Sequence, residues 1–230
     1  MKRLLVSLLT ACILATAPSL AQLTDERHYL TVGVNGGMNM CSVSFSPSIK
    51  QDTFNGISGG LTFRYISEKY FKMFCGIQGE INYSQRGWSE LIEDETGDSY
   101  SRAMNYIEVP LMAHLAFGKD SQRKGCQFFV NLGPQFAFFM SEKENMSEGF
   151  SKDERLIDYQ YGKMVENKFD YGIVVGAGLD FATGIGHFLL EGRYYYGLGD
   201  FWGNSKKDEF GRSGLSYIGA RIAYLINVGK

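Results

Sequence analysis

The sequence has little proline, histidine and cysteine, and beyond residue 21 it has no long uninterrupted apolar run. Four prolines and three histidines are spread over 230 residues. Without an apolar run of about 20 residues, the rest of the chain offers no candidate transmembrane helix. Abundant tyrosine, phenylalanine and glycine instead favour membrane strands, in which alternation dilutes the apolar residues along the sequence.

The cysteines fit neither a disulfide framework nor a zinc site. Beyond residue 21 the chain keeps Cys41, Cys75 and Cys126, an odd number without C-x-x-C spacing. We interpret them as small apolar residues in or near strands. The sequence therefore predicts no metal and no cofactor.

The N-terminal segment has the order of a secretory signal peptide. The basic residues Lys2 and Arg3 precede the apolar residues 4–17, and a small-residue cleavage site ends at Ala21. Cys12 superficially resembles a lipoprotein processing site, but apolar sequence continues beyond it. Export with cleavage after Ala21 is the interpretation that the whole segment favours.

Residues 1–21 are thus predicted to be a signal peptide and residues 22–230 a single domain. Removing the signal takes away two basic residues and no acidic residue, so the formal net charge changes from −2 to −4. This mildly acidic balance argues against nucleic acid as a partner.

Alternation of apolar and polar residues predicts eight strands. We expect them at 30–39, 56–67, 72–86, 102–117, 125–139, 168–182, 186–198 and 214–228. The last of these shows the pattern clearly, with Ile218 and Ile222 on one face and Arg221 on the other. The sequence predicts an all-β fold, an eight-stranded antiparallel up-and-down transmembrane β-barrel.

The connections alternate in length. Those after the second, fourth and sixth strands are short, whereas the others are long and cover 40–55, 87–101, 140–167 and 199–213. Outer-membrane barrels have short periplasmic turns and longer external loops. The pattern therefore indicates an integral protein of the Gram-negative outer membrane, surrounded by lipid.

Aromatic residues are expected to form belts at the two membrane interfaces. The belt at the short-turn end would contain Phe71, Phe74, Phe117, Phe128, Phe181 and Phe188. The belt at the long-loop end would contain Tyr83, Trp88, Tyr106, Phe136, Phe138, Tyr196 and Trp202. The alternative is the ordinary enrichment of aromatic residues in strands.

Charged residues occupy the face opposite the apolar one. They are Arg64, Glu80, Glu108, Asp180, Glu191, Arg193 and Arg221. Pairing the last two strands about residue 206 places Glu191 opposite Arg221. Because isolated buried ions are costly, we expect an interior network of ion pairs that plugs the barrel. The alternative is a narrow polar path for water or small ions.

Enzymatic sites are not indicated. His28, His114 and His187 all map to the short-turn side, so a general base is missing near the long loops. The acidic residues 90–98 lack the register of a calcium-binding loop, and we interpret them as a solvated external loop.

Four segments carry a family resemblance. Residues 59–65 are GGLTFRY and residues 76–88 are GIQGEINYSQRGW, followed by YIEVPL at 106–111 and NLGP at 131–134. These segments resemble the PorT-like, or porin-family, outer-membrane β-barrel proteins of Bacteroidota. The resemblance implies a barrel of OmpA-like size inserted in the outer membrane. Such barrels often end in an aromatic residue, whereas this chain ends Val-Gly-Lys.

Three hypotheses for function remain. The first is a non-enzymatic, monomeric barrel with a plugged interior, whose long external loops engage extracellular or periplasmic proteins or stabilise the envelope. The second is a narrow porin-like channel for small solutes, and the resemblance adds an assembly factor of a type IX-like secretion system. The third, a soluble lipocalin-like carrier, is weakened by the charged face and the alternating loop lengths.

Overall fold

Nine strands make up the described part of the chain. They are Tyr29–Ser46 (β1), Gln51–Asp52 (β2), Phe54–Tyr70 (β3), Met73–Glu90 (β4), Tyr100–Gly118 (β5), Gly125–Met146 (β6), Phe169–Ala182 (β7), His187–Gly197 (β8) and Arg212–Asn227 (β9). The computed structural model describes residues 28–70, 73–93, 98–118, 124–148, 150, 158–205 and 208–228. The predicted signal peptide lies outside these ranges. Within them, no helix is long and apolar enough to cross a membrane.

The eight long strands form a closed antiparallel ring. Each pairs with its neighbours along the chain, and β9 returns to pair with β1 over its whole length. The two residues of β2 add only a short bridge to the end of β4. Closure pairs the backbone groups of neighbouring strands around the ring, which a bilayer requires because it offers no water to them. The predicted eight-stranded antiparallel barrel is confirmed.

The two faces of the wall follow the alternation of the sequence. In β8, residues alternate strictly between buried and exposed from His187 to Gly197. Glu191 and Arg193 face the interior, whereas Phe188 and Leu190 face outward. Because successive side chains of a strand point to opposite faces, polar residues fill the lumen and apolar residues cover the outside.

Several strands extend further than alternation predicts. β1 continues to Ser46, β4 to Glu90 and β6 to Met146, so the long connections are shorter than expected. Residues 42–46 still pair with 212–216 of β9. The outward residues of this extension are serines, so the contrast between apolar and polar faces disappears while backbone pairing continues.

The predicted aromatic belts need correction. Phe74, Trp88, Tyr106 and Trp202 are buried inside the molecule, not placed on its outer wall. Exposed aromatic side chains do remain near both ends of the wall, namely Phe117, Phe128, Phe181 and Phe188 at one end and Tyr83, Phe138 and Tyr196 at the other. Phe136 is half-buried, and Phe71 lies outside the described residues. Phe74, Trp88 and Tyr106 occupy inward positions of their strands. Trp202 lies in the connection between β8 and β9, which folds over the mouth of the barrel.

Candidate functional site

The lumen near the short turns is filled by apolar side chains. They form one buried cluster of Tyr29, Ile66, Phe74, Ala116, Phe129, Leu189 and Leu225, contributed by seven of the eight long strands. We call this cluster the apolar base. Its packing closes that end of the lumen, because an eight-stranded barrel is only wide enough for its own side chains.

The first ion pair lies directly above the apolar base. Arg64 donates to Asp180 at 2.8 Å and to Gln78 at 3.0 Å. Its guanidinium lies 5.6 Å from the ring centroid of Phe129. Asp180 also contacts His187, with 3.0 Å between a carboxylate oxygen and Nδ1. Strands on opposite sides of the barrel, β3 and β7, are thereby joined across the lumen.

The centre of the lumen holds a cluster of five charges. Arg193 donates a two-pronged pair of hydrogen bonds to Glu80, at 2.7 and 2.8 Å, and a further bond of 2.8 Å to Glu191. Arg221 lies between two carboxylates, 3.4 Å from Glu80 and 3.5 Å from Glu108. All five side chains are buried, so their mutual pairing replaces the lost solvation.

Arg86 forms the next layer and has no accessible surface. It donates to Glu108 at 2.7 Å and to Asp170 at 2.8 Å. Three tyrosine rings surround its guanidinium, with centroid distances of 4.5 Å to Tyr195, 5.1 Å to Tyr106 and 5.2 Å to Tyr217. Arg86 thus combines charge pairing with cation–π contacts in a fully desolvated position.

A chain segment crosses the mouth of the barrel above this layer. We call residues 160–165 the strap. Arg102 donates to the carbonyl oxygens of Gln160 and Lys163 and pairs with Glu142 and Glu144 on β6. Because Arg102 is itself buried, its donors bind the strap rather than water.

The same carboxylates bind the strap a second time. The amide of Gly162 donates to Glu144 at 3.0 Å, and the amide of Val165 donates to Glu142 at 2.9 Å. Side chains of β5 and β6 therefore satisfy both donors and acceptors of the strap, as a neighbouring strand would. This anchoring explains how an irregular segment lies across the mouth with two of its carbonyls and two of its amides bonded to strand side chains.

Aromatic residues fill the space between the strap and the wall. The cluster, which we call the cap, contains Val43, Phe45, Ile49, Trp88, Tyr100, Met104, Tyr106, Ala137, Tyr161, Val165, Phe201, Trp202, Phe210 and Leu215. Trp202 is central, with its ring centroid 4.8 Å from those of Phe201 and Phe210. The cap closes the long-loop end of the lumen with a core of its own.

Polar contacts on the outside of the cap shift the pKa values of two groups. A hydrogen bond and the charge of Glu209, 2.8 Å away, raise the pKa of Lys163. Hydrogen bonds from Ser205 lower the pKa of Asp208. Both shifts favour the charged forms and therefore support the local structure near neutral pH.

A protein-family comparison identifies the fold at sequence level. The family described as outer membrane protein beta-barrel domain matches residues 20–203. The chain belongs to this family. Membership places the protein in the outer membrane, with lipid around its apolar wall. No curated protein sequence matches the chain.

Comparison with solved structures finds several outer-membrane proteins similar to this chain. Ail of Yersinia pestis, crystallised with the heparin analogue sucrose octasulfate, is 15% identical over 86% of this chain and 99% of its own, with a TM-score of 0.36. OprG of Pseudomonas aeruginosa is 11% identical over 87% and 94%, with a TM-score of 0.46. The outer membrane enzyme PagL is 13% identical over 84% and 97%, with a TM-score of 0.43.

All seven charged residues singled out from the sequence of this outer-membrane barrel are buried in the lumen, and each has a charged partner. β8 and β9 place Glu191 opposite Arg221, but Glu191 bonds Arg193 instead. The sequence reasoning missed Arg86, Arg102 and Asp170. The signal was present for all three, because Arg86 and Arg102 share the inward alternation of Glu80 and Glu108, and Asp170 shares that of Asp180.

The histidines lie away from the cap, whereas Cys41 is buried in the layer beneath it with Tyr195 and Tyr217. His114 contacts Asn131 at 2.7 Å inside the lumen, and His28 lies beside Tyr65 near the start of β1. In the described part of the chain the cysteines form no disulfide, and no group of three or more His, Cys, Asp or Glu could hold a metal ion.

Proposed function

We propose that this outer-membrane barrel is non-enzymatic and closed to solutes, and that its cap presents a fixed external surface to protein partners or to the envelope. The observation that carries the proposal is the filling of the lumen along its length. The apolar base, the ion-pair layers, the cap and the strap follow one another from the short turns to the mouth.

The central cavity supports closure over the alternative of a narrow channel. Between Asn35, Glu80 and Arg221 it has a volume of about 10 Å³, close to that of a single water molecule. Passage of a solute would require separating buried ion pairs, which costs several kcal/mol for each ion left without a partner. The lumenal charges are also nearly balanced, which gives no basis for ion selectivity.

The position of the histidines supports a non-enzymatic role. His114 and His187 are buried near the short-turn end and are engaged with Asn131 and Asp180. The polar groups of the mouth are arginine, glutamate and tyrosine, which bond one another and the strap. In the described residues of the mouth, Glu144 accepts from the Tyr100 hydroxyl and from Arg102, so this carboxylate is engaged in holding chain segments together.

The proposal includes the finer points that the sequence suggested. Residues 1–21 direct export, residues 22–230 form the mature barrel, and the protein is a PorT-like monomer of Bacteroidota. The external surface is the part available to partners. In its described residues, the ion pairs of Lys163 with Glu166 and Glu209 help to fix its shape.

Planar-bilayer recording of the purified protein tests closure. We expect no discrete openings from the unaltered protein, since both ends and the centre of the lumen are filled. Lys50→Ala, which removes one residue of the exposed ion pair with Glu93, serves as the control for handling and insertion of the protein. Discrete openings of the unaltered protein whose size changes in Arg221→Ala would contradict the proposal, because the conducting path would then pass the central cluster.

A further inference from the structure

The outer wall carries an apolar groove across three adjacent strands. It lies over β1, β9 and β8, where the first and last long strands meet, and has a volume of about 900 Å³. Its outward side chains are all apolar or aromatic, namely Val34, Met38, Phe188, Leu190, Ala220, Ile222 and Tyr224. The groove lies within the apolar rows of these strands and is therefore continuous with the lipid-facing surface.

The groove exists because small residues lie among large ones. An added Cβ on Gly36 would come no closer than 3.8 Å to any neighbouring atom, so the space above this glycine is open. Around Gly36 and Ala220, the side chains of Val34, Met38 and Ile222 are 56%, 60% and 66% exposed. They form ridges on both sides of a low floor.

Two aromatic rings close the groove toward the short turns. The centroids of Phe188 and Tyr224 lie 5.0 Å apart, and the Tyr224 hydroxyl donates to the carbonyl oxygen of Ile185. This bond fixes the ring against the turn that precedes β8. The groove thus has a fixed end near the interface on the short-turn side.

The chemistry of the groove selects its occupant. Asn35 and Arg221 lie in the same wall, but their polar groups bond Thr62 and Glu80 inside the lumen. Apart from the Tyr224 hydroxyl at its end, which is bonded to Ile185, the outward side chains of the groove offer no hydrogen-bonding group to a headgroup or to a peptide backbone. A linear hydrocarbon chain needs only van der Waals contact, which the ridges supply on two sides.

We propose that this groove binds one acyl chain of a phospholipid from the leaflet on the short-turn side, as an ordered lipid distinct from the bulk bilayer. The continuity with the lipid-facing surface and the aromatic end near that interface point to this occupant. Such a site is independent of whether the lumen conducts.

Native mass spectrometry of the protein released from a mild detergent tests the site. We expect the unaltered protein to retain one phospholipid, and the Gly36→Leu variant, which fills the floor, to retain about tenfold less. The control is Gly79→Leu, an outward glycine on β4 whose added Cβ would make an ordinary 3.5 Å contact with Leu111. It should retain lipid like the unaltered protein.

Variants that lower the ridges keep the test decisive should Gly36→Leu fail to fold. Leu190→Ala and Ile222→Ala remove contacts from two neighbouring strands of the groove, β8 and β9, and should each reduce retention. Equal lipid retention in all folded variants would overturn the proposal. So would a dimer that Gly36→Leu abolishes, because the groove would then hold a second copy of the chain.

Discussion

Replacing Arg86 by methionine is expected to destabilise the folded barrel by about 3–5 kcal/mol. Arg86 has no accessible surface and pairs with two carboxylates, Glu108 and Asp170, at 2.7 and 2.8 Å. Methionine has a similar length and keeps apolar contact with the surrounding tyrosine rings, so the loss is mainly that of charge. The substitution leaves two buried acidic groups without their cation.

The structure also indicates where in this range the loss of stability in Arg86→Met should fall. Asp170 keeps a 2.8 Å hydrogen bond from Tyr195, and Glu108 keeps Arg221 at 3.5 Å. Both partners soften the loss, so the lower part of the range, about 3 kcal/mol, is expected. Adding Asp170→Asn to Arg86→Met removes one of the unpaired charges. The double variant should therefore lose less than the two single variants added together.

Urea titration of the barrel in lipid vesicles, followed by the mobility of unheated samples on gels, measures these differences. Lys50→Met is the matched control, because Lys50 forms its ion pair with Glu93 in an exposed position. It should leave the unfolding midpoint unchanged. The reasoning is refuted if Arg86→Met unfolds at the same urea concentration as Lys50→Met, or if the double variant shows simple additivity.

Two further predictions concern the mouth. Arg102→Ala removes the donors to two strap carbonyls, so amide hydrogen exchange of Gly162 and Val165 should accelerate by about tenfold or more. The control is Arg212→Ala, which breaks a contact with Tyr196 outside the strap and should leave this exchange unchanged. Unchanged exchange in Arg102→Ala would show that the strap is held by other contacts. Because Glu209 raises the pKa of Lys163, their pairing stabilises the cap as long as Glu209 is ionised. On the alkaline side this stabilisation is fully present below pH 10.5, the ordinary lysine value, and is lost as pH rises through the higher folded-state pKa. Glu209→Gln should lower the pKa of Lys163 measured by NMR, and an unaltered titration would rule out Glu209 as the cause.

The fold could be predicted from the sequence because alternation is a local property. Each of the eight strands carries its own alternation of apolar and polar residues. A closed antiparallel ring follows because the apolar face must contact lipid while the backbone groups of every strand are paired. The ends of the strands could not be predicted, because the outward serines of β1 beyond Cys41 resemble a loop once the lipid contrast is gone.

The partners of the lumenal charges required the closed ring. Arg64 reaches Asp180 and Arg193 reaches Glu80 across the barrel, at separations of 116 and 113 residues. Which charged residues meet across the lumen depends on how all eight strands are staggered around the barrel. This stagger cannot be read from the alternation within any one strand. The strap was also beyond prediction, because residues 160–165 have no alternation and are ordered by Arg102, Glu142 and Glu144 on other strands.

The ion pairs across the lumen have a consequence for assembly. Sliding one strand by two residues keeps every side chain on its face and can restore the backbone ladder, so the wall alone discriminates weakly between such alignments. The slide moves each charge by about 6.6 Å along the strand, far beyond hydrogen-bonding distance. A misaligned Arg193 would leave Glu80 buried with its main partner gone. The lumenal charges thus stabilise the native alignment of the strands over shifted alignments when the barrel closes.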